Sequence, residues 1–278
     1  MKYNLAFKYR IYPNKDQELL INKTFGCVRF VYNTILYTAN KIYEETGKNK
    51  IITPASLKSE NQFLKEVDSL ALSNAQLNVK RSFTNFFQKR AKFPRFKSKK
   101  TSVKSYTTNC VNNSIRIEEN KYLILPKLKK VKLKYHREIP KDYKIKSVTL
   151  TNSNGNYYVS VLTEFEKEIQ KMPSNDKVIG LDFSMSELFV SSENQRADYP
   201  RYFRMLEKKL KKLQKSLSRK VKFSKNWYKQ KAKISKLHEY IKNCRRDFLH
   251  KLSKKLSEDY NAVVVEDLNM KGMSQALN

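Results

Sequence analysis

Glycine is scarce. Five glycines in 278 residues leave no Gly-rich loop to cradle phosphates, which argues against a nucleotide-hydrolysing motor. Cysteine is scarce too. Cys27, Cys110 and Cys244 lie far apart with no Cys-x-x-Cys pair. That excludes a zinc ribbon within these residues and suits reduced thiols in a cytosolic protein. The three histidines, His136, His238 and His250, show no ligand spacing, and the last two fall in a helical pattern as surface or core-edge positions. No apolar run is long enough to span a bilayer, and the opening "MKYNLAFKYRIYPNKD" has no signal-peptide core. Acids are the last shortage: 26 Asp and Glu face 58 Lys and Arg, a formal charge of +32. Such an excess repels itself unless a polyanion neutralises it. Nucleic acid is the expected polyanion, because neutralising phosphates releases counterions; a membrane surface fits less well. Hydrophobic residues at 40% and aromatics at 12% suffice for cores, and the length predicts two or three modules.

Residues 3–11, "YNLAFKYRI", read as a strand. Pro13 and Asn14 offer a helix start and Gly26 a stop. Val31, Ile35, Ala39 and Ile42 continue at helical spacing until Gly47, and a third helix fits 70–92, with Val79, Phe83, Phe86 and Phe87 on one side. These aromatics read as core rather than as platforms for bases. In "KFPRFKSKKTSVKSYTTN", six basic residues lie between Lys92 and Lys104, and Phe93 and Phe96 interleave with Arg95 and Lys97. That pattern suits a contact tracking a nucleic-acid backbone; a solvated turn is the alternative. Residues 105–165 alternate as strands do, with Asn154-Gly155 in a hairpin loop. A small β module that reclaims the N-terminal strand is expected there, ending near residue 172.

The rest opens on "KVIGLDFSMSELFVSS", a short apolar strand ending at Asp182, with Leu188 to Ser191 returning beside it. Leucines 206, 210, 213 and 217 form a seam, as do Ile234, Leu237, Ile241, Cys244, Phe248, Leu252 and Leu256. This predicts a helical hairpin over about 201–258, joined by "SRKVKFSKN". That span holds 21 Lys and Arg against 4 Asp and Glu, a net +17. A coiled pair explains the leucines; the field argues for phosphate backbones along the hairpin. "YNAVVVEDLN" then reads as a buried strand ending at Glu266 and Asp267. Two acids at neighbouring strand ends suit nuclease metal chemistry, in which two ions about 4 Å apart activate water and stabilise the leaving oxygen. Two Mg²⁺ ions usually need three or more carboxylates, so Asp182 and Glu266 alone are a weak cage. Spacing leaves open whether each acid merely caps a turn.

"GLDFSMSELFV", "LSRKVKFSKN", "CRRDFLHKLSKKL" and "VVVEDLNMKGMSQALN" resemble the TnpB family of transposon-encoded RNA-guided DNA nucleases, akin to type V CRISPR effectors. "YRIYPNKDQELLINKTFGCVRFVYN" and "FPRFKSKK" resemble its N-terminal half, so the likeness runs in order along the chain. The resemblance implies an α+β multidomain protein. A wedge-type β barrel (1–12 and 93–171) would carry an inserted helical recognition domain (13–92), followed by an incomplete RNase H-like (RuvC) α/β domain (172–278) with the basic hairpin. It implies a guide RNA derived from the transposon end, double-stranded target DNA, and a short adjacent DNA motif read by protein. Mg²⁺ follows only if the nuclease reading holds, and no zinc is expected in this chain. A bacterial cytoplasmic, nucleoid-associated protein follows.

Carried over, Asp182 matches the first RuvC acid and Glu266 the second; Ser184 stands where many members have glycine. The third acid belongs to a later Arg-Asp-x-Asn segment beyond a zinc ribbon, and these 278 residues contain neither. The expectation is therefore a nuclease-dead binder of the transcription-repressing kind with vestigial acids. The alternative is an endonuclease, as a fragment or with the third acid supplied by Asp267, Asp198 or another chain. A general RNA-binding protein without guided targeting is a third reading. Expected nucleic-acid contacts are Arg95, Lys97, Lys99, Lys100 and Lys104, and on the hairpin Arg219, Lys220, Lys222, Lys225, Lys229, Arg245 and Arg246. Positions expected to read the adjacent motif are Ile52, Ser56, Ser69, Leu70 and Ser73, which are small or apolar.

Overall fold

The computed structural model describes residues 1–48, 50–100, 102–168, 177–184, 187–269 and 272–273. The chain divides into two units, Met1–Glu168 and Ile169–Asn278. The boundary expected near residue 172 lies outside the described residues.

In the first unit, β1 (Lys2–Tyr12) alternates because Phe7, Tyr9 and Ile11 turn inward while Lys8 and Arg10 turn out. Asn14 then starts α1 (Lys15–Thr46) with a capping box. Its side chain accepts from the Gln17 amide at 2.8 Å, and the Gln17 side chain accepts from the Asn14 amide at 3.0 Å. Gly26 does not end this helix, which runs on to Gly47, where φ of 66° closes it. Ile21, Phe25, Val28, Val31 and Ile35 keep one buried stripe through Gly26, so core packing outweighs the glycine's poor helix propensity. A one-turn helix α2 (Pro54–Leu57) precedes α3 (Ser69–Phe87), capped by the Asp68 carboxylate on the Leu70 amide. The third helix thus stops five residues short of the expected Lys92, and the chain turns through Lys89 at φ 58°.

Six strands follow: β2 (Lys104–Asn109), β3 (Arg116–Glu118), β4 (Tyr122–Leu125), β5 (Lys129–Lys134), β6 (Lys144–Ser153) and β7 (Asn156–Glu166). They join β1 in a seven-stranded antiparallel sheet of order β2-β6-β7-β1-β5-β4-β3. The strand order leaves β2 and β3 as its edges, so backbone pairing does not close it into a ring. The N-terminal strand is reclaimed at its centre, as expected, with Lys2 opposite Glu166 and Ile11 opposite Tyr157. Asn154 (φ 51°) and Gly155 (φ 82°) form the two-residue turn between β6 and β7. One sheet face (Tyr106, Val131, Val148, Leu150, Val159, Val161) packs against α1 and α3 through Phe25, Val31, Leu72, Ala75 and Val79 in a single core.

The second unit is built differently. β8 (Val178–Phe183) pairs antiparallel with β9 (Phe189–Ser191) and parallel with β10 (Ala262–Val265). Between them run α4 (Tyr202–Ser218) and α5 (Lys225–Asp259), the expected hairpin. Leu210 and Leu237 are buried in its seam, and the Gln230 amide donates to the Leu213 carbonyl at 3.0 Å. β10 was expected to be buried; it is not. Val263, Val264 and Val265 are 40%, 59% and 65% exposed. Its backbone pairs on one side only, with β8, and among the described residues little covers its side chains.

Candidate nucleic-acid interface

From Ser69 to residue 117 the chain holds eleven Lys and Arg and no acid. The expected basic segment is the exposed part of this run, between α3 and β2. It is not a loose turn. The Asn33 side chain on α1 donates to the Lys97 carbonyl at 3.0 Å and accepts from the Lys97 amide at 2.8 Å. The Lys97 ammonium sits 4.0 Å from the centre of the Tyr32 ring, and burial lowers its pKa from the usual lysine value. Lys97, Lys99 and Lys104 then line one depression with Ser98, Ser105 and an unforeseen cation, Arg29 of α1. The fold brings these four cations to one depression and holds Lys97 in place. Arg95 and Lys100 stand exposed on the same segment.

A second basic surface was missed. On the outer face of the sheet, Arg10 lies opposite Lys134 and Tyr12 opposite Lys132. Like charges directly opposite destabilise a sheet, so this face favours a polyanion. The signal was present in "KKVKLK", whose lysines alternate with the buried Val131 and Leu133. The aromatics at the end of α3 are only partly core. Phe83 is buried, whereas Phe87 and Phe93 stay exposed in the same ring cluster.

Ile52, Ser56, Ser69, Leu70 and Ser73, expected to read the adjacent motif, fall on α2, the residues before it and the start of α3. Two long side chains tie these pieces together: Lys58 donates to the Ser69 hydroxyl at 2.7 Å, and Gln76 donates to the Ile52 carbonyl at 3.0 Å. Two of the serines donate to nearby backbone, Ser56 to the Thr53 carbonyl at 2.8 Å and Ser73 to the Ser69 carbonyl at 3.2 Å. Lys58 is therefore the strongest donor in this patch, and sequence reasoning passed over it.

In the second unit, Arg219, Lys220 and Lys222 occupy the connection between α4 and α5, Lys225 and Lys229 the first turns of α5, and Arg245 and Arg246 its middle. Arg246 donates to His250 at 3.1 Å. The ion pairs of the hairpin, Lys211–Glu207, Lys251–Asp247 and Lys254–Glu258, lie away from the connection. Residues 208–238 hold thirteen cations and no acid, so the connecting end carries an uncompensated field.

The two acids meet at the other end of this unit. Val265 lies opposite Leu181 in the parallel ladder, so one residue on, Glu266 falls beside Asp182, and both line one shallow depression with Gly180 and Val264. Both are exposed. Asp267 lines a different depression, with Phe183, Leu188 and Glu266. Among the described residues no three His, Cys, Asp or Glu side chains gather where a cation could sit. Two carboxylates do not match the donor set of a two-Mg²⁺ site. The three cysteines are free: Cys27 lies on α1, Cys110 just after β2 and Cys244 on α5.

Likeness to known proteins extends over both units. Residues 159–277 match the family described as "Probable transposase" (OrfB of IS605), and residues 1–48 match its helix-turn-helix domain. The chain is 35% identical over 285 residues to the "Putative RNA-guided DNA endonuclease InsQ" of Escherichia coli (strain K12), covering 99% of this chain and 69% of that protein. It is 33% identical to a "Putative RNA-guided DNA endonuclease" of Streptomyces pristinaespiralis, covering 96% of this chain and 68% of that one. In fold it is similar to Cas12f1, solved by cryo-EM with its single guide RNA and target DNA. That likeness has a TM-score of 0.55 at 11% identity over 96% of this chain and 81% of that one. The likeness is one of fold, a mixed α/β chain in both cases. The chain belongs to the TnpB family. No helix among the described residues is long and apolar enough to cross a membrane.

Proposed function

We propose that this chain binds a transposon-end guide RNA and, through it, double-stranded DNA beside a short adjacent motif. These 278 residues would bind without cutting, occupying promoters as a transcriptional repressor. The observation that carries the binding is the likeness, in order and over 99% of the chain, to a protein named as an RNA-guided DNA endonuclease. Guide pairing would supply sequence specificity, and the basic segment, sheet face and hairpin would supply backbone affinity. In this reading residues 1–12 and 93–171 act as the wedge-type domain, 13–92 as the recognition domain, and 172–278 as the RuvC-like domain. Lys58 and the Ser69 turn would face the adjacent motif.

The absence of cutting rests on the acids. Asp182 and Glu266 stand side by side, and two carboxylates hold Mg²⁺ weakly near phosphate. A nuclease reading requires a third acid, and Asp267 lines the depression that Asp182 does not. Sequencing RNA that co-purifies with the chain tests the guide; one scaffold with a constant region and a variable end is expected, and unrelated cellular RNA would refute it. Incubating the purified complex with matched target DNA and Mg²⁺ tests the rest. Protection without strand breaks is expected. A cut that Asp182→Asn or Glu266→Gln abolishes would establish the nuclease instead.

A further inference from the structure

Phe223 has the wrong backbone for a phenylalanine. Its φ is 69°, in the left-handed region that a bulky side chain rarely adopts and that glycine takes freely. The ring gains little burial in return, since Phe223 is 66% exposed at the connecting end of the hairpin. It leans on Trp227 at 5.6 Å between ring centres, and Trp227 meets Tyr228 edge-on at 5.1 Å. Ser224 caps α5 immediately beside it, its side chain accepting from the Trp227 amide at 3.1 Å. Three aromatic rings thus cluster at one tip, in a stretch that carries Arg219, Lys220, Lys222, Lys225, Lys229 and Lys231 and no acid among residues 219–231, with the Lys231 ammonium 5.0 Å from the centre of the Trp227 ring. Backbone strain at a residue that packs poorly points to a role for the side chain it presents.

We propose that Phe223 and Trp227 form a stacking site for unpaired nucleobases, with the surrounding cations holding the phosphates on either side. Every base offers a π-face, so the site reads single-strandedness rather than sequence. The ligand is an unpaired nucleotide, from guide RNA or from a displaced DNA strand. The inference rests on the nucleic-acid reading above and adds a contact that phosphate attraction alone does not require.

Trp227 is the only tryptophan in the chain, so its fluorescence reports on the tip alone. The full chain would be titrated with a twelve-nucleotide oligo-uridine, with oligo-thymidine, and with a twelve-base-pair duplex. Both single strands should quench Trp227, the stronger binder identifying the source, and the duplex should not. Phe223→Ala and Phe223→Gly should weaken single-strand binding about tenfold and leave duplex binding unchanged, while Phe223→Tyr retains it. Phe223→Gly also relieves the backbone, so its helical melting midpoint should equal or exceed the parent's. A ring kept only to staple the hairpin would instead lower that midpoint, by more than about 4 °C. Such a drop with single-strand affinity intact overturns the proposal, as does an equal loss for duplex and single strands. A change in self-association without a change in single-strand affinity would assign the tip to a second copy and overturn it too. If the parent binds no nucleic acid, the family reading fails with it; if the parent binds and Phe223→Gly matches it, this inference alone fails.

Discussion

The two units handle the same excess of positive charge in opposite ways. Residues 1–168 carry it on the outside of a core: strands and helices share one apolar interior, and lysines alternate outward from buried valines and leucines. In the second unit Ile179, Ala197, Leu210 and Leu237 are the buried apolar side chains among the described residues. Its charge lies along two helices that do little else than carry it, and its sheet leaves four valines, Val178 and Val263 to Val265, facing water. Stability in the first unit comes from burial, whereas the second is organised around a field. A polyanion that neutralises that field stabilises whatever conformation binds it.

The sharpest way to break this contrast is in the core. Leu150, fully buried in β6, should cost the first unit about 2–5 kcal/mol as Leu150→Ala, seen as a lower urea midpoint and as faster amide exchange confined to residues 1–168. Next comes the hairpin. Replacing Arg219, Lys220, Lys222, Lys225 and Lys229 together with glutamine should lower RNA affinity on the order of a hundredfold and flatten the salt dependence by about 3 to 4 log units per decade. Its thermal stability in the absence of RNA should hold or rise, because self-repulsion falls. If affinity survives, the field lies elsewhere, and the outer face of the sheet (Arg10, Lys132, Lys134) becomes the surface to neutralise. A smaller effect is expected at the helix start: Asn14→Ala removes the capping box and should cost about 1 kcal/mol by chemical denaturation. The smallest is at the exposed strand. Val264→Thr should change stability by less than about 0.5 kcal/mol; a loss approaching that of Leu150→Ala would mean the β10 face is covered in solution.

Much of the scaffold was legible because it is local. The capping box is written in Asn14 and Gln17, the β6–β7 turn in Asn154-Gly155, and the hairpin in two leucine seams. Gly26 misled because propensity is weak beside a buried stripe that runs straight through it. The buried reading of "AVVV" failed for the converse reason: an apolar run records what a strand prefers and cannot say whether anything packs on it. Of the site, residue types were readable and groupings were not. Arg29 joins Lys97 only because Asn33 fastens a backbone 64 positions away, and Lys58 reaches Ser69 only because α2 folds back on α3.

What the sequence determined by itself was the charge, its concentration between Arg201 and Glu258, the order of the elements, and an acid after each of two apolar runs, Asp182 and Glu266. These depend on composition and on periods of two and 3.6 residues, which no neighbour can alter. The tertiary structure decided which strands pair, which valines stay wet, and that Glu266 stands beside Asp182. It also decided that Phe223 takes a glycine's backbone at a basic tip. Those outcomes follow from long-range pairing and burial, which bring together residues that share no local pattern.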